Sequence, residues 1–97
     1  MLYTVNKSPL QSSNLRSALG IAPAGMPLLL LEDGVYGATV GTIVTSLVQE
    51  ALSQRPIYAL QADLQARGLT RIIDGVQVID YDGFVTLVEE HQVAPWL

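Results

Sequence analysis

Hydrophobic residues along the chain form short unbroken runs, separated by longer stretches in which apolar positions recur at helical spacing. The short runs are typical of strands and lie at Met1–Val5, Leu28–Leu31, Ile57–Leu60 and Val76–Ile79. The run of four leucines shows no alternation, which is the pattern of a central strand covered on both faces. We therefore predict a sheet with Leu28–Leu31 in its interior.

Two helices are predicted between the first three runs. From Val40 to Leu52 the apolar residues recur on one face at every expected step, which makes this the most regular helical pattern of the chain. Earlier in the chain, Ser8 and Pro9 are typical of a helix cap and a first helical residue. The helix that they would open carries Leu15 and Ala18 on its apolar face.

Two shorter helical segments and an apolar tail complete the pattern. Ala62–Arg67 favours one or two helical turns, and the glycine that follows is a typical helix end. Asp80 can cap a last helix, on which Phe84, Leu87 and Val88 share a face. Strands and helices thus alternate along the 97 residues, which predicts one α/β domain over residues 1–97 with a mostly parallel sheet covered on both faces.

The composition leaves a surplus of apolar surface. Hydrophobic residues make up 49% of the chain and charged residues 14%, against about 25% charged residues in typical domains. A small globule with so few charges is expected to cover some apolar surface with a partner. The net charge of −4 and the five scattered basic residues give no positively charged stripe, which argues against direct nucleic-acid binding.

The sequence also argues against a membrane location. The longest apolar stretch, Ile21–Leu31, is interrupted by two prolines and a glycine and is shorter than the ~18 residues that a membrane helix needs. The first residues, MLYTVNKSP, lack the basic region and the apolar segment of a secretory signal. The cytoplasm is therefore the expected compartment.

The chain contains no cysteine. A thiolate is the nucleophile in disulfide and persulfide chemistry and a ligand in many zinc sites. The sequence therefore excludes a disulfide, a persulfide on this chain and a cysteine-ligated metal.

Candidate functional residues lie in the loops after the predicted strands, because ligands of open α/β sheets bind beyond the carboxyl ends of the strands. After the second strand, Glu32 and Asp33 could supply a general base or orient a partner group. The alternative, which we favour, is that they meet solvent at a strand end and make turn hydrogen bonds before Gly34.

The loop after the first strand also has two interpretations. Asn6, Lys7 and Ser8 could hold an anion with help from the following helix N-terminus. No glycine-rich phosphate loop accompanies them, so helix capping is the favoured role.

The remaining candidates do not form a catalytic set. His91 is the sole histidine and has no metal-ligand spacing around it, and the serines lack a nucleophile-elbow motif, so no metal, cofactor or catalytic residue is predicted. Tyr36 and Trp96 are candidate recognition anchors at an interface, with core or rim packing as an equal alternative.

Four segments in order resemble one known family. They are MLYTVNKSP, LLLLEDGVYGA, IYALQADLQARGL and VIDYDGFVTLVEEH, the last followed by a terminal AxWL pattern. Together they cover essentially the whole chain without large gaps. On these segments the chain is identified as a member of the DsrH/TusB family of small sulfur-relay subunits.

The resemblance implies a three-layer α/β/α subunit of the DsrE/DsrF/DsrH-like fold. Such subunits assemble with DsrE-like (TusD) and DsrF-like (TusC) chains into a dimer of heterotrimers. In the tRNA-modifying branch the complex passes persulfide sulfur from a TusA-like carrier, through a cysteine of the TusD-like subunit, to a TusE-like (DsrC-like) protein for 2-thiolation of wobble uridine. In the sulfur-oxidising branch a similar complex serves dissimilatory sulfur oxidation. Both branches are cytoplasmic.

One departure from the family pattern concerns Ala18. Sulfur-oxidiser members of DsrH type carry a cysteine on the helix after TVNKSP, and an ungapped alignment places that cysteine at Ala18. The chain is therefore either a scaffolding subunit, as TusB-type members are, or a form that has lost the cysteine. The leading hypothesis is a non-catalytic subunit of a sulfurtransferase complex. The alternatives are a free-standing small-ligand-binding module or a homo-oligomeric structural protein that uses the strand-end loops.

Overall fold

The computed structural model describes residues 1–96, in which strands and helices alternate. The strands are β1 (Leu2–Val5), β2 (Leu28–Leu30), β3 (Ile57–Leu60), β4 (Gln77–Ile79) and β5 (Val93–Trp96). The helices are α1 (Asn14–Ile21), α2 (Thr45–Ala51), α3 (Gln61–Ala66) and α4 (Tyr81–Glu90), and a 3₁₀ helix at Glu32–Ala38 follows β2. None of the helices within residues 1–96 combines the length and the apolar character needed to cross a membrane.

The strands form one sheet in the order β4-β3-β2-β1-β5, and every neighbouring pair is parallel. The central strand is β2, and its leucines, Leu28 to Leu30, are fully buried. The α/β class and the interior position of Leu28 to Leu30 are therefore confirmed. The predicted strand was one residue too long, because Leu31 lies outside β2 and is half-buried. Because all strands point the same way, their carboxyl ends meet at one edge of the sheet.

Helices cover both faces of this sheet. On one face, Leu28 and Leu30 belong to a large core that includes buried residues of α1, α2 and α3. On the other face, Leu29 belongs to a smaller core with Leu2 and with Leu87 of α4. Neighbouring leucines of β2 enter different cores because successive side chains of a strand point in opposite directions. The three-layer arrangement implied by the family resemblance is thus confirmed.

The apolar tail forms a fifth strand that the sequence analysis did not predict. It pairs with β1 in parallel, with Val93 opposite Leu2 and Trp96 opposite Val5. Pro95 lies within β5. A proline is tolerated there because β5 is at the edge of the sheet and has a strand neighbour on one side only.

The helix predicted from Val40 to Leu52 was too long, since α2 begins at Thr45. The backbone N–H groups of Gly41 and Thr42 donate to Thr45 Oγ1 at 3.1 and 3.0 Å, and Gly41 has φ of 92°. A threonine side chain that bonds nearby backbone groups in this way stabilises a turn in competition with a helix. Ile43, predicted on the buried helix face, is consequently 78% exposed.

The first helix was also predicted to begin too early. Instead of opening a helix at Ser8 and Pro9, the chain makes a turn and α1 begins at Asn14. The Ser8 Oγ accepts the N–H of Leu10 at 3.2 Å, and the Ser8 carbonyl accepts the N–H of Gln11 at 3.1 Å. Ser8 therefore closes a local turn and is not a helix cap.

The two later helices agree with the prediction. Gly68, just past the end of α3, has φ of 65°, the left-handed conformation typical of a glycine at a helix end. Asp80 caps α4, because its Oδ1 accepts the N–H of Gly83 at 2.9 Å. Phe84 and Val88 pack beside Leu87 in the smaller core, as their spacing predicted.

Candidate functional site

The carboxyl ends of β1, β2 and β3 lie side by side, since these strands are parallel neighbours in the sheet. They lead into Asn6–Ser8, into Glu32 and Asp33, and into the start of α3, which carries Asp63. We call these three segments the strand-end loops. The fold therefore brings the polar residues chosen from the sequence to one edge, which is where an open α/β sheet would bind a ligand.

Asp33 is held by Arg67, a residue that the sequence analysis did not single out. The Arg67 Nε donates to Asp33 Oδ1 at 2.9 Å, and Arg67 Nη2 lies 2.9 Å from the same oxygen. The third nitrogen, Nη1, donates to the Asp63 carbonyl at 3.1 Å and lies 3.6 Å from Asp63 Oδ1. Asp33 is thus engaged in an ion pair between the segment after β2 and the segment after β3.

Glu32 turns the chain at the end of β2. Its φ of 51° is in the left-handed region, which is uncommon for a residue other than glycine. Its backbone N–H donates to Asp63 Oδ2 at 2.7 Å, so the Asp63 carboxylate stabilises the turn from the neighbouring loop. Within residues 1–96 the Glu32 carboxylate itself forms no hydrogen bond or ion pair. The predicted turn hydrogen bonds of Glu32 and Asp33 are therefore replaced, within residues 1–96, by contacts to the segment after β3: the Glu32 N–H bonds Asp63 and the Asp33 carboxylate bonds Arg67.

Gly34 allows the 3₁₀ helix to pass directly over the end of β1. A Cβ atom at this position would overlap the carbonyl oxygen of Val5. The Leu31 N–H donates to that carbonyl at 3.1 Å, and the Gly34 N–H donates to the Leu31 carbonyl at 2.9 Å. Backbone therefore occupies the space beyond β1 in which a ligand could otherwise lie.

The loop after β1 does not resemble an anion cradle. Asn6 Oδ1 is buried and has no hydrogen-bond partner within residues 1–96, and Lys7 is exposed. A carbonyl-type oxygen is an acceptor and repels an anion, whereas an anion site requires convergent donors. The Ser8 hydroxyl oxygen already accepts the Leu10 N–H within the turn.

Ala18 lies in the middle of α1 and is fully buried in the large core. The same core includes Leu15 of this helix and Val48 of α2. The position to which the family resemblance assigns a cysteine in other members therefore faces the interior and is not part of the strand-end loops.

The two aromatic candidates differ in their surroundings. Trp96 is half-buried and packs against the large core from β5. Tyr36 is half-buried in the 3₁₀ helix, where its carbonyl accepts the Thr39 hydroxyl at 2.7 Å. Trp96 therefore contributes to packing at the sheet edge, while Tyr36 keeps part of its side chain at the surface.

His91 ends α4 and is half-buried. In the part of the chain that the structure describes, no three histidine, aspartate or glutamate residues lie close enough together to hold a metal ion. At the strand ends, Asp33 and Asp63 both contact Arg67.

The sequence indicates the pairing of Arg67 with Asp63 but not its pairing with Asp33. Asp63 and Arg67 are four residues apart on a predicted helix, a spacing that places opposite charges on the same face. The contact between Arg67 and Asp33 spans 34 residues and depends on the order of the strands. Taken together, the strand-end loops contain an ion-pair network and a tightly packed turn, and no nucleophile paired with a base.

Comparison with known proteins places the chain in a family. Residues 7–94 match the family described as DsrH like protein. The protein TusB of Serratia proteamaculans is 43% identical over 93 residues, which cover 95% of this chain and 95% of that protein. The protein TusB of Photorhabdus laumondii is 40% identical over 99 residues, which cover 99% of this chain and 100% of that protein.

Solved structures share the fold. The YchN protein from E. coli superimposes with a TM-score of 0.76 at 18% identity, covering 97% of each chain. A protein of unknown function from Methanobacterium thermoautotrophicum gives a TM-score of 0.72 at 16% identity, covering 97% of this chain and 96% of the other. At such identities the likeness shows the fold alone. The match over residues 7–94 and the identities of 40% and 43% show that the chain belongs to the DsrH family, as its four sequence segments predicted.

Proposed function

We propose that this chain is a non-catalytic subunit of a cytoplasmic sulfur-relay complex that supports persulfide transfer. The observation that carries the proposal is membership of the DsrH family combined with the absence of cysteine from the sequence. A persulfide is carried on a cysteine sulfur, so a chain without cysteine cannot carry one itself. Its contribution is then to complete the complex and to shape the surface on which sulfur carriers dock.

The burial of position 18 supports the proposal that this chain does not carry a persulfide itself. A sulfur carrier must reach the sulfur atom that it attacks or receives, since transfer proceeds by direct attack of one sulfur on another. Ala18 has no exposed surface in the folded chain. Even with a sulfur atom at this position, transfer would require α1 to move away from the core.

Exposed apolar side chains support a role in assembly. Ile43, just before α2, is 78% exposed, and Ile21, at the end of α1, is 65% exposed. Ile21 ends α1 and Ile43 precedes α2, and buried residues of both helices belong to the large core. Large apolar residues left at the surface of a weakly charged chain are typical of an interface. The proposed partners are DsrE/TusD-like and DsrF/TusC-like subunits, with transient contacts to TusA-like and TusE/DsrC-like carriers.

The names of the relatives favour one of the two pathways. Both curated relatives described above are called TusB, which is the name of the tRNA-modifying branch in the family resemblance. We therefore propose 2-thiolation of wobble uridine, and not dissimilatory sulfur oxidation, as the process that this chain supports.

The strand-end loops do not favour the rival function, a free-standing ligand-binding module. That function predicts a well-formed crevice at the strand ends with a carboxylate inside it. The Glu32 carboxylate has no partner within residues 1–96, but the space beyond β1 is filled by backbone and does not form such a crevice. Asp33 is instead bound by Arg67, and the 3₁₀ helix packs over the end of β1 at Gly34.

The proposal is tested by reconstitution with the DsrE-like and DsrF-like proteins of the same source. Native mass spectrometry of the co-expressed chains should give a mass of two copies of each. Transfer of ³⁵S from a TusA-like carrier to a TusE-like protein should then be faster with this chain than with the two partners alone. If the partners form a complete assembly and transfer sulfur at the same rate without this chain, the proposal is wrong.

A further inference from the structure

Arg55 is a charged residue in the interior of the protein. It directly precedes Pro56 and β3 and is only 5% exposed. Its Nη2 donates to the carbonyl of Ala22, at the end of α1, at 3.1 Å. Its Nε and Nη1 are buried and have no hydrogen-bond partner within residues 1–96. A buried guanidinium without a counter-ion is unfavourable, so acceptor oxygens brought to these nitrogens would bind favourably.

Arg55 also borders a cavity of about 290 Å³ between α1 and α2. The cavity has an apolar part and a polar rim. Its apolar part is formed by Leu19 and Leu47, and its polar lining includes Arg16, Glu50, Gln54 and Arg55. A ligand that fits such a space has a short hydrocarbon part and one polar end.

The charged residues that line the cavity determine which polar group a ligand needs in order to bind there. Arg16 and Arg55 are positive and Glu50 is negative, so these three residues together carry one net positive charge. One net positive charge complements a singly charged anion, and Glu50 disfavours a dianion. An arginine guanidinium binds carboxylate oxygens through short charge-assisted hydrogen bonds.

We propose that this cavity binds a small aliphatic monocarboxylate. The carboxylate oxygens accept hydrogen bonds from Arg55 Nε or Nη1, and the hydrocarbon chain lies against Leu19 and Leu47. Both nitrogens are shielded from bulk water, so the side chains that cover them must move for the ligand to reach them. This site is separate from the strand-end loops and does not depend on the proposed function.

The test is a titration of the full ¹⁵N-labelled chain with sodium butyrate, followed by NMR and compared with sodium chloride at the same ionic strength. We expect saturable shifts in α1, α2 and the Arg55 Nε–H resonance, with a Kd on the order of 1 mM for so small a ligand. Butanol, which lacks the charge, and inorganic phosphate, which lacks the hydrocarbon, should bind more weakly. The proposal is overturned if butyrate gives no saturable shift, or if phosphate or butanol binds as tightly.

Substitutions in the rim separate this site from general charge effects. Glu50→Gln should tighten butyrate binding roughly two- to fivefold and Arg16→Gln should weaken it by a similar factor, as expected for partly exposed charges. Arg71→Gln changes the net charge like Arg16→Gln but lies outside this cavity, and it should leave the Kd unchanged. Equal Kd values for the three variants would overturn the proposal. The substitutions are made at the exposed residues Arg16, Glu50 and Arg71, because a substitution of the buried Arg55 would affect folding as well as binding.

Discussion

Arg67 binds Asp33 through two nitrogens of its guanidinium group, Nε and Nη2, each 2.9 Å from the same carboxylate oxygen. Asp33 lies in the first turn of the 3₁₀ helix and Arg67 follows α3, so the ion pair joins the segments after two neighbouring strands. The carboxylate of Asp63, one helical turn before Arg67, accepts a hydrogen bond from the backbone N–H of Glu32, the residue before Asp33. The adjacent acids Glu32 and Asp33 therefore contribute differently, one through its backbone and the other through its carboxylate.

This difference predicts unequal effects of removing the two carboxylates. Asp33→Asn should lower the free energy of unfolding by less than about 1 kcal/mol, because the Asp33 side chain is 58% exposed and solvent screens the pair. Glu32→Gln should have no measurable effect, since its carboxylate has no partner within residues 1–96. Urea unfolding of both variants measures the difference.

The two variants are matched, because each removes one negative charge from adjacent positions. The difference between them should shrink in 1 M salt, where the screening length falls to about 3 Å. If Glu32→Gln destabilises the chain as much as Asp33→Asn, the Arg67–Asp33 ion pair does not stabilise the folded chain.

Gly34 is predicted to be intolerant of a side chain. Gly34→Ala places a Cβ against the Val5 carbonyl, so backbone must move, and we expect a loss of about 1–3 kcal/mol or more in the free energy of unfolding. Gly20→Ala is the control, because Gly20 lies in α1 with no atom within 4 Å of an added Cβ. That substitution should stabilise the chain by up to about 1 kcal/mol. Equal effects at the two glycines would contradict the close approach at Gly34.

The sequence predicted best those elements whose bounds depend only on residues that are adjacent in the sequence. The bounds of β3 follow from an apolar run after a proline, and the cap of α4 follows from Asp80 alone. The predicted start of α2 was wrong because apolar periodicity contains no information about Thr45, whose hydroxyl stabilises a turn before the helix. The strand β5 was missed because it is defined by its pairing with β1 and not by its composition.

The candidate site was predictable to a similar extent. The rule that ligands bind at the carboxyl ends of parallel strands correctly predicted that Glu32 and Asp33 lie at the same edge of the sheet as the loop after β1. The binding of Asp33 by Arg67 depends on β2 and β3 being neighbours, which no local pattern contains. The burial of Arg55 likewise depends on the packing of α1 near the chain that enters β3, where it meets the Ala22 carbonyl.

Burial of position 18 predicts slow chemistry for a thiol placed there. Ala18→Cys introduces the only cysteine of the chain, and its reaction with a disulfide reagent such as DTNB should require local opening of α1. Arg16→Cys, two residues earlier on the same helix but exposed, provides the control. We expect the thiol at position 18 to react at least about tenfold more slowly. Equal rates would show that α1 opens readily, and the argument from burial against sulfur transfer at this position would fail.

The last prediction concerns the surface around Ile43, and it depends on the proposed function. Ile43→Glu introduces a charge at a residue that is 78% exposed, so the stability of the isolated chain should change by less than about 0.5 kcal/mol. If Ile43 contacts a partner, the charge becomes buried in the complex and affinity for the DsrE-like and DsrF-like subunits should fall at least about tenfold. Gln49→Glu adds the same charge at an exposed position on α2 and should leave assembly intact. Native mass spectrometry at a series of concentrations measures both variants. If the Ile43→Glu chain assembles as well as the Gln49→Glu chain, Ile43 lies outside the interface and its exposure no longer supports a role in assembly.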